Sequence, residues 1–153
     1  MSHTRRASVV PALGGGLAFW LANFAISLTP LAAEYRAALS IPYAPMLVEV
    51  LVGGVVLGFC VSYPLVRLAA RIPVKSPVVA GMALSLVALT AVTLILDLPA
   101  KLLSPVNDPV RYLLIGALFN AVRILALGAM VGGLYGRWAR VQASLRPSPE
   151  LQR

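Results

Sequence analysis

Long apolar segments alternate with short polar ones along this sequence. The clearest apolar segment, Tyr112–Leu134, has 23 residues and contains one charged residue, Arg123, at its midpoint. A helix of that length covers roughly 34 Å, which is enough to cross a hydrocarbon core of about 30 Å. Comparable segments occupy residues 11–33, 44–69 and 78–98. The pattern therefore predicts four transmembrane helices.

The segments between these helices contain prolines and charges. We expect a polar loop over 34–43, a basic connection over 70–77 and a loop over 99–109. Pro99 marks the start of the last loop, because proline lacks a backbone donor and disfavours helix in the residue before it. Residues 137–153 are expected to form a short cytoplasmic tail.

The predicted fold class is an all-α membrane protein. Its single domain, 1–153, would hold the four transmembrane helices in an up-down bundle. The second and fourth helices each combine a polar stripe with a row of glycines. This likeness suggests two tandem helix hairpins, 11–70 and 77–136.

The composition agrees with a membrane protein. The chain is 59% hydrophobic and 12% charged, whereas a soluble domain is about 45–50% apolar and about 25% charged. A single cysteine, Cys60, excludes an intrachain disulfide. The one histidine, His3, lies outside every predicted helix, so a histidine-based haem or metal site in the membrane is not expected. No cofactor is predicted.

The distribution of cations predicts the topology. The net charge of +8 is explained by the positive-inside rule, and no nucleic-acid partner is expected. With the N-terminus in the cytoplasm, nine Lys and Arg residues lie on that side: Arg5, Arg6, Arg67, Arg71, Lys75, Arg137, Arg140, Arg146 and Arg153. Three lie outside: Arg36, Lys101 and Arg111. Both termini are therefore expected in the cytoplasm, with the bundle in the inner membrane. Arginines outnumber lysines 11 to 2, a hint of a bacterial source.

The first apolar segment has two interpretations. Arg5 and Arg6 before it are typical of a signal peptide. However, the segment is longer than a typical apolar signal region of about 7–15 residues, and no clear cleavage site follows it. We expect a retained helix, with a cleaved signal as the alternative.

Each predicted helix places most of its polar groups on one face. At about 100° per residue, Asn120 and Arg123 share a face of the fourth helix. A stripe on the second helix comprises Glu49, Gly53, Val56, Cys60, Tyr63 and Arg67. Because hydrocarbon cannot satisfy polar groups, we expect all four polar faces to turn inward. The predicted polar pocket is lined by Asn23, Glu49, Asp97, Asn120 and Arg123.

Arg123 has two possible roles in that pocket. A guanidinium near the bilayer centre costs at least about 2.5–3.5 kcal/mol unless it has partners or water. It could form a structural ion pair with Glu49 or Asp97, or it could face an anionic substrate. Glu49 itself could be a proton-coupling carboxylate or an interfacial acid near the start of its helix.

Glycines recur at four-residue spacing on the opposite helix faces. They are Gly54, Gly58, Gly128, Gly132 and Gly136. Such spacing allows close backbone approach between transmembrane helices. The glycines could mediate contacts between protein chains, or contacts within the bundle.

No motif identifies a specific function. The sequence has no phosphate-binding loop, zinc-protease motif or nucleophile elbow, and an enzyme is not expected. One hypothesis is a binding or transport module for a small solute or ion. The other is an accessory or assembly subunit of a larger membrane complex. The expected partners are the lipid bilayer and either further copies of the chain or such a complex.

Overall fold

In the computed structural model, residues 2–68, 76–103 and 107–144 are described, with side chains from Ser8 onward apart from Lys101. This part of the chain is almost entirely helical and contains no strand. The helices are α1 Ser2–Ser27, α2 Pro30–Ala38, α3 Tyr43–Leu68, α4 Pro77–Val92, α5 Leu98–Leu102 and α6 Pro109–Ser144, and a π-helical turn, Thr93–Asp97, joins α4 to α5. Four segments are long and apolar enough to cross a membrane: Ser8–Ser27, Tyr43–Leu68, Pro77–Ala100 and Pro109–Ser144. The predicted all-α fold is confirmed.

The long helices run antiparallel to the neighbours on which they pack. Helix α1 packs along both α3 and α6, and α6 also packs along α4. Buried apolar side chains fill the space between them: Val61, Leu65, Ile124, Leu127 and Val131 are each at most 1% exposed. Ser2 and Ser144 lie at one end of the bundle, here called the terminal end. Helix α2 lies at the other, here called the α2 end.

Small residues bring the helices of each hairpin close together. A methyl group added at Gly58 of α3 would lie 2.2 Å from the carbonyl oxygen of Ala12 on α1. One added at Gly132 of α6 would lie 2.3 Å from the carbonyl oxygen of Pro77 on α4. The other glycines at four-residue spacing face the same two neighbouring helices. Gly54 faces α1, and Gly128 and Gly136 face α4. All five glycines therefore make contacts within the bundle.

The predicted inward orientation of the polar stripe on the second transmembrane helix is wrong. Glu49, Cys60 and Arg67 are exposed, while Gly54 and Gly58 face α1. The glycine face allows closer backbone approach and more van der Waals contact. The two charged residues lie nearer the ends of α3, where long side chains can reach a membrane surface.

The predicted polar loop over 34–43 is wrong in its first half, because α2 forms there. Thr29 is the N-cap of α2, and its hydroxyl accepts a hydrogen bond from the backbone N–H of Ala32 at 3.2 Å. Pro30 occupies the first helical position, where its missing N–H is not needed. The same turn ends α1 at Ser27, earlier than the predicted boundary at residue 33.

The third transmembrane helix does not stop at Pro99 as predicted. The π-helical turn continues the chain through Asp97, and Leu98 N–H donates to the carbonyl of Thr93, five residues back. A π turn is wider than an α turn, so it offers room beside the proline ring, and the chain remains helical to Leu102.

Helix α6 is longer than its predicted apolar segment. It has 36 residues, or about 54 Å, so part of it extends beyond a hydrocarbon core of about 30 Å. Residues 137–144 of the predicted tail are helical. The rest of that tail, most of the predicted basic connection and the side chains of Arg5, Arg6 and Lys101 lie outside the described part of the structure.

Candidate functional site

The guanidinium of Arg123 is the centre of a buried hydrogen-bond network. Its Nη1 donates to Asn23 Oδ1 at 2.8 Å, and its Nη2 donates to Asn120 Oδ1 at 2.5 Å. Its Nε donates to the carbonyl oxygen of Phe119 at 3.1 Å. Its Cζ atom lies 5.5 Å from the centroid of the Phe19 ring. These bonds use three of the five N–H donors of the side chain.

Asp97 joins this network through an amide rather than by a direct ion pair. Asn120 Nδ2 donates to Asp97 Oδ2, so Asn120 connects the carboxylate to the guanidinium. The network runs Asp97–Asn120–Arg123–Asn23 and links the π-helical turn, α6 and α1. The expectation of Asp97 as a partner for Arg123 is therefore met indirectly.

The network lies towards the α2 end rather than at the middle of the bundle. Asn23 precedes the last residue of α1 by four positions, or about 6 Å along the helix axis. On α6, Arg123 lies 14 residues after the first residue, Pro109, and 21 residues before the last, Ser144. In the structure α6 begins at Pro109, and its first turns pack against α2.

Helix α2 covers the network. The Tyr35 ring packs edge-on against Tyr112 and Phe119, at centroid distances of 6.1 and 5.5 Å. Gly116 leaves space for this ring, since a methyl group there would lie 2.8 Å from the Tyr35 hydroxyl. Arg36 Nη1 donates to the carbonyl oxygen of Ser27 at 3.2 Å. These contacts fix α2 across the ends of α1 and α6.

An exposed ion pair also joins α2 to α6. Arg111 Nη2 lies 2.7 Å from Glu34 Oε1. A surface ion pair contributes about 0–1 kcal/mol to stability. The pair therefore affects the orientation of α2 more than the stability of the bundle.

A small cavity of about 40 Å³ lies between α2 and the network. Its lining combines two arginines, three further polar side chains and several apolar ones: Asn23, Ile26, Ser27, Ala32, Tyr35, Arg36, Ile41, Met46, Phe119 and Arg123. None of these described lining residues is acidic. The cavity is therefore bordered by cationic and neutral groups.

One polar atom at this cavity has no partner. Asn23 is 4% exposed, and its Nδ2 is the one buried side-chain nitrogen or oxygen in the described part of the chain without a hydrogen bond. An unsatisfied buried donor costs about 1–3 kcal/mol, and such groups are few in native proteins. The site therefore lacks a hydrogen-bond acceptor next to Asn23.

The structure brings together four of the five predicted pocket residues: Asn23, Asp97, Asn120 and Arg123. It does not bring Glu49 to them. Glu49 is exposed on α3, and its side chain makes no hydrogen bond or ion pair within the described residues. An Arg123–Glu49 ion pair is therefore absent from this structure, because α3 turns its glycine face to the bundle.

Sequence reasoning missed the contribution of α2. Tyr35 and Arg36 both line the cavity, but the sequence pattern predicts a loop for their segment. Thr29-Pro30 is an N-cap followed by a proline at the first helical position, and this signal could have identified the helix. The side chains of Phe19 and Ser27 were also not singled out for the site.

A larger depression, of about 570 Å³, lies at the terminal end between the start of α4 and α6. Its described lining consists of small and apolar residues, Ser76 and one arginine, Arg140. No buried, unpartnered polar atom lies there within the described residues. The α2 end is thus the better candidate for a ligand site.

The chemistry available at the α2 end is the binding of a hydrogen-bond acceptor. Within the described residues, no group of three His, Cys, Asp or Glu side chains could hold a metal ion. The chain matches no protein-family model, no curated protein sequence and no solved structure.

Proposed function

We propose that this chain is a small-solute binding and transport module whose ligand occupies the cavity under α2. The observation that supports the proposal is the buried Nδ2 of Asn23, which has no partner beside the cavity that Asn23 and Arg123 line. A bundle that only needed to satisfy Arg123 would not require a cavity beside that arginine, nor an unpaired donor on the residue that binds it.

We also propose that the bundle lies in the inner membrane of a bacterium, with the α2 end outside. The arginines Arg137 and Arg140 of the terminal end support this orientation under the positive-inside rule. Glu34 and Asp108 belong to the opposite end. The ligand would then reach the cavity from the external side.

Helix α1 belongs to this module. It contributes Asn23 to the network and the surface on which Gly54 and Gly58 pack. Removal of α1 as a cleaved signal would leave Arg123 without its Asn23 partner and would expose the glycine face of α3. These contacts support a retained first helix.

The accessory-subunit alternative has less support. It relied on glycine faces that would be open to a partner chain. Gly54, Gly58, Gly128, Gly132 and Gly136 instead contact helices of the same chain. The surrounding lipid bilayer is the partner that we propose for the exposed apolar surface.

A thermal-shift screen tests the proposal. Purified protein in detergent would be heated with small anions, small cations and neutral amides in turn. We expect at least one class to raise the unfolding temperature of the wild type and of a Cys60→Ser control, but not that of Asn23→Leu. The Cys60 side chain is exposed on α3, away from the cavity. Equal shifts in all three proteins, or none in any, would refute the proposal.

A further inference from the structure

We infer that the ligand of this cavity is a small monovalent anion of halide size. This inference rests on the proposed function and specifies its ligand. The argument uses four properties of the site: the donors that remain, the acceptors that are already used, the charge and the volume.

The unused groups at the site are donors. Asn23 Nδ2 has no partner, and two of the five N–H groups of Arg123 are not used by its bonds to Asn23, Asn120 and Phe119. Such donors recognise an acceptor, and an ionised acceptor forms the stronger hydrogen bond.

The acceptors of the network are already engaged. Both amide oxygens, Asn23 Oδ1 and Asn120 Oδ1, accept from Arg123. Asp97 accepts from Asn120. Ser27 Oγ gives its one hydrogen to the carbonyl oxygen of Phe24 at 2.6 Å, so in its 3.2 Å contact with the Tyr43 hydroxyl it is the acceptor. A cation would therefore find two arginines and few available oxygens, which disfavours it.

The charge near the cavity favours a single negative charge. Asp97 offsets Arg123 through Asn120, and Glu34 offsets Arg111 in an ion pair. Within the described residues, the half-buried guanidinium of Arg36 has no carboxylate partner; it donates to Ser27 and lies 5.0 Å from the Tyr43 ring centroid. One monovalent anion would balance this remaining charge.

The volume limits the size of the anion. The cavity volume is about 40 Å³, whereas a cavity needs about 10–15 Å³ to hold a single water molecule. It admits a dehydrated halide or an oxyanion of a few atoms, such as nitrate. It does not admit a nucleotide or a lipid headgroup.

Chloride NMR tests the inference directly. The purified protein would be titrated with chloride in a gluconate background, and the line width of ³⁵Cl would be measured. We expect saturable broadening with the wild type and the Cys60→Ser control. We expect Asn23→Asp to bind chloride at least about tenfold more weakly, because a carboxylate next to Arg123 replaces the unpaired donor and repels the anion.

A second variant keeps the test decisive if Asn23→Asp does not fold. Arg36→Gln removes the uncompensated charge from α2, outside the central network, and we expect it to weaken chloride binding severalfold. Saturable broadening of equal affinity in the wild type, Asn23→Asp and Arg36→Gln would overturn the inference.

The result also separates this inference from the proposed function. If chloride does not bind while acetamide raises the unfolding temperature of the wild type but not of Asn23→Leu, the anion assignment is wrong and the binding module stands. If chloride, acetamide and ammonium are all without effect on the wild type, both are wrong.

Discussion

Along α1, the first half of the helix packs on its neighbours mainly through small and apolar residues, beside one hydrogen bond from Ser62 Oγ to the carbonyl oxygen of Ser8. The last turns meet them through the hydrogen-bond network of Arg123. Ala12 lies against Gly58 with backbones in close contact, whereas Asn23 accepts a hydrogen bond from Arg123 at 2.8 Å. The terminal end is held mainly by close van der Waals packing, and within the described residues no buried side-chain nitrogen or oxygen lacks a partner there. The α2 end is held by a network with a cavity beside it.

The difference suggests how a chain this small would combine rigidity with the binding that we propose. Close-packed glycine seams contribute stability that does not depend on any ligand. A polar network with an unsatisfied donor is stabilised further when an acceptor binds, since a ligand that binds only the folded state raises its stability. Substitutions at the two ends should therefore differ in whether a ligand can offset them.

The largest effect is expected from Arg123→Leu. The substitution leaves two amide oxygens and the Asp97 carboxylate without their donor or counter-charge. Removing one member of a buried charge network costs about 3–5 kcal/mol, and we expect a loss at the lower end of this range because Arg123 is half-buried. The free energy of unfolding in mixed micelles would measure it. A loss below about 1 kcal/mol would mean that the network does not stabilise the α2 end.

Gly132→Ala should destabilise the terminal end by about 2 kcal/mol, because its methyl group would overlap the carbonyl of Pro77. Gly133→Ala is the matched control, since no atom lies within 4 Å of a methyl group at that position. We expect the control to be neutral, or stabilising by up to about 1 kcal/mol through helix propensity. Equal effects of the two changes on the free energy of unfolding, measured by the same assay, would contradict close packing of Gly132 against α4.

A double-mutant cycle separates the two carboxylates that could pair with Arg123. We expect a coupling energy of about 1–3 kcal/mol between Arg123→Leu and Asp97→Asn, because both belong to one network. The cycle of Arg123→Leu with Glu49→Gln should give a coupling near zero. Coupling to Glu49 and none to Asp97 would reverse the assignment.

The smallest effect is expected from Asn23→Leu without ligand. The change removes one hydrogen bond to Arg123, which lowers stability, but it also removes the unpaired Nδ2, which raises stability. We expect these two contributions largely to offset each other. We expect the free energy of unfolding to change by less than about 1 kcal/mol, whereas the thermal shift produced by ligand disappears. A large loss of stability without ligand would indicate that Asn23 is chiefly structural.

Apolar length was enough to predict four candidate transmembrane helices, because a long apolar segment has few alternatives to a buried or membrane-spanning helix. The sequence also predicted that Asn23, Asp97, Asn120 and Arg123 would meet, since a polar group within an apolar helix tends to find a partner in the bundle. Of the five predicted pocket residues, however, only Asn23 and Arg123 line the cavity. Glu49 was misplaced because the rotation of α3 depends on Gly54 and Gly58, whose packing partners lie on α1. Helical periodicity describes one helix at a time and contains no information about these partners.

The π-helical turn Thr93–Asp97 has an evolutionary consequence. A π turn contains one residue more than the α turn it replaces, so it behaves as a single-residue insertion in an otherwise regular helix. Deleting one residue in this turn would return it to α geometry, in which each residue turns by about 100° and a turn contains one residue fewer, and Asp97 would shift relative to Asn120. The apolar length of the third transmembrane helix would hardly change. The loss of a single codon could thus disconnect the acid from Arg123 without affecting membrane insertion.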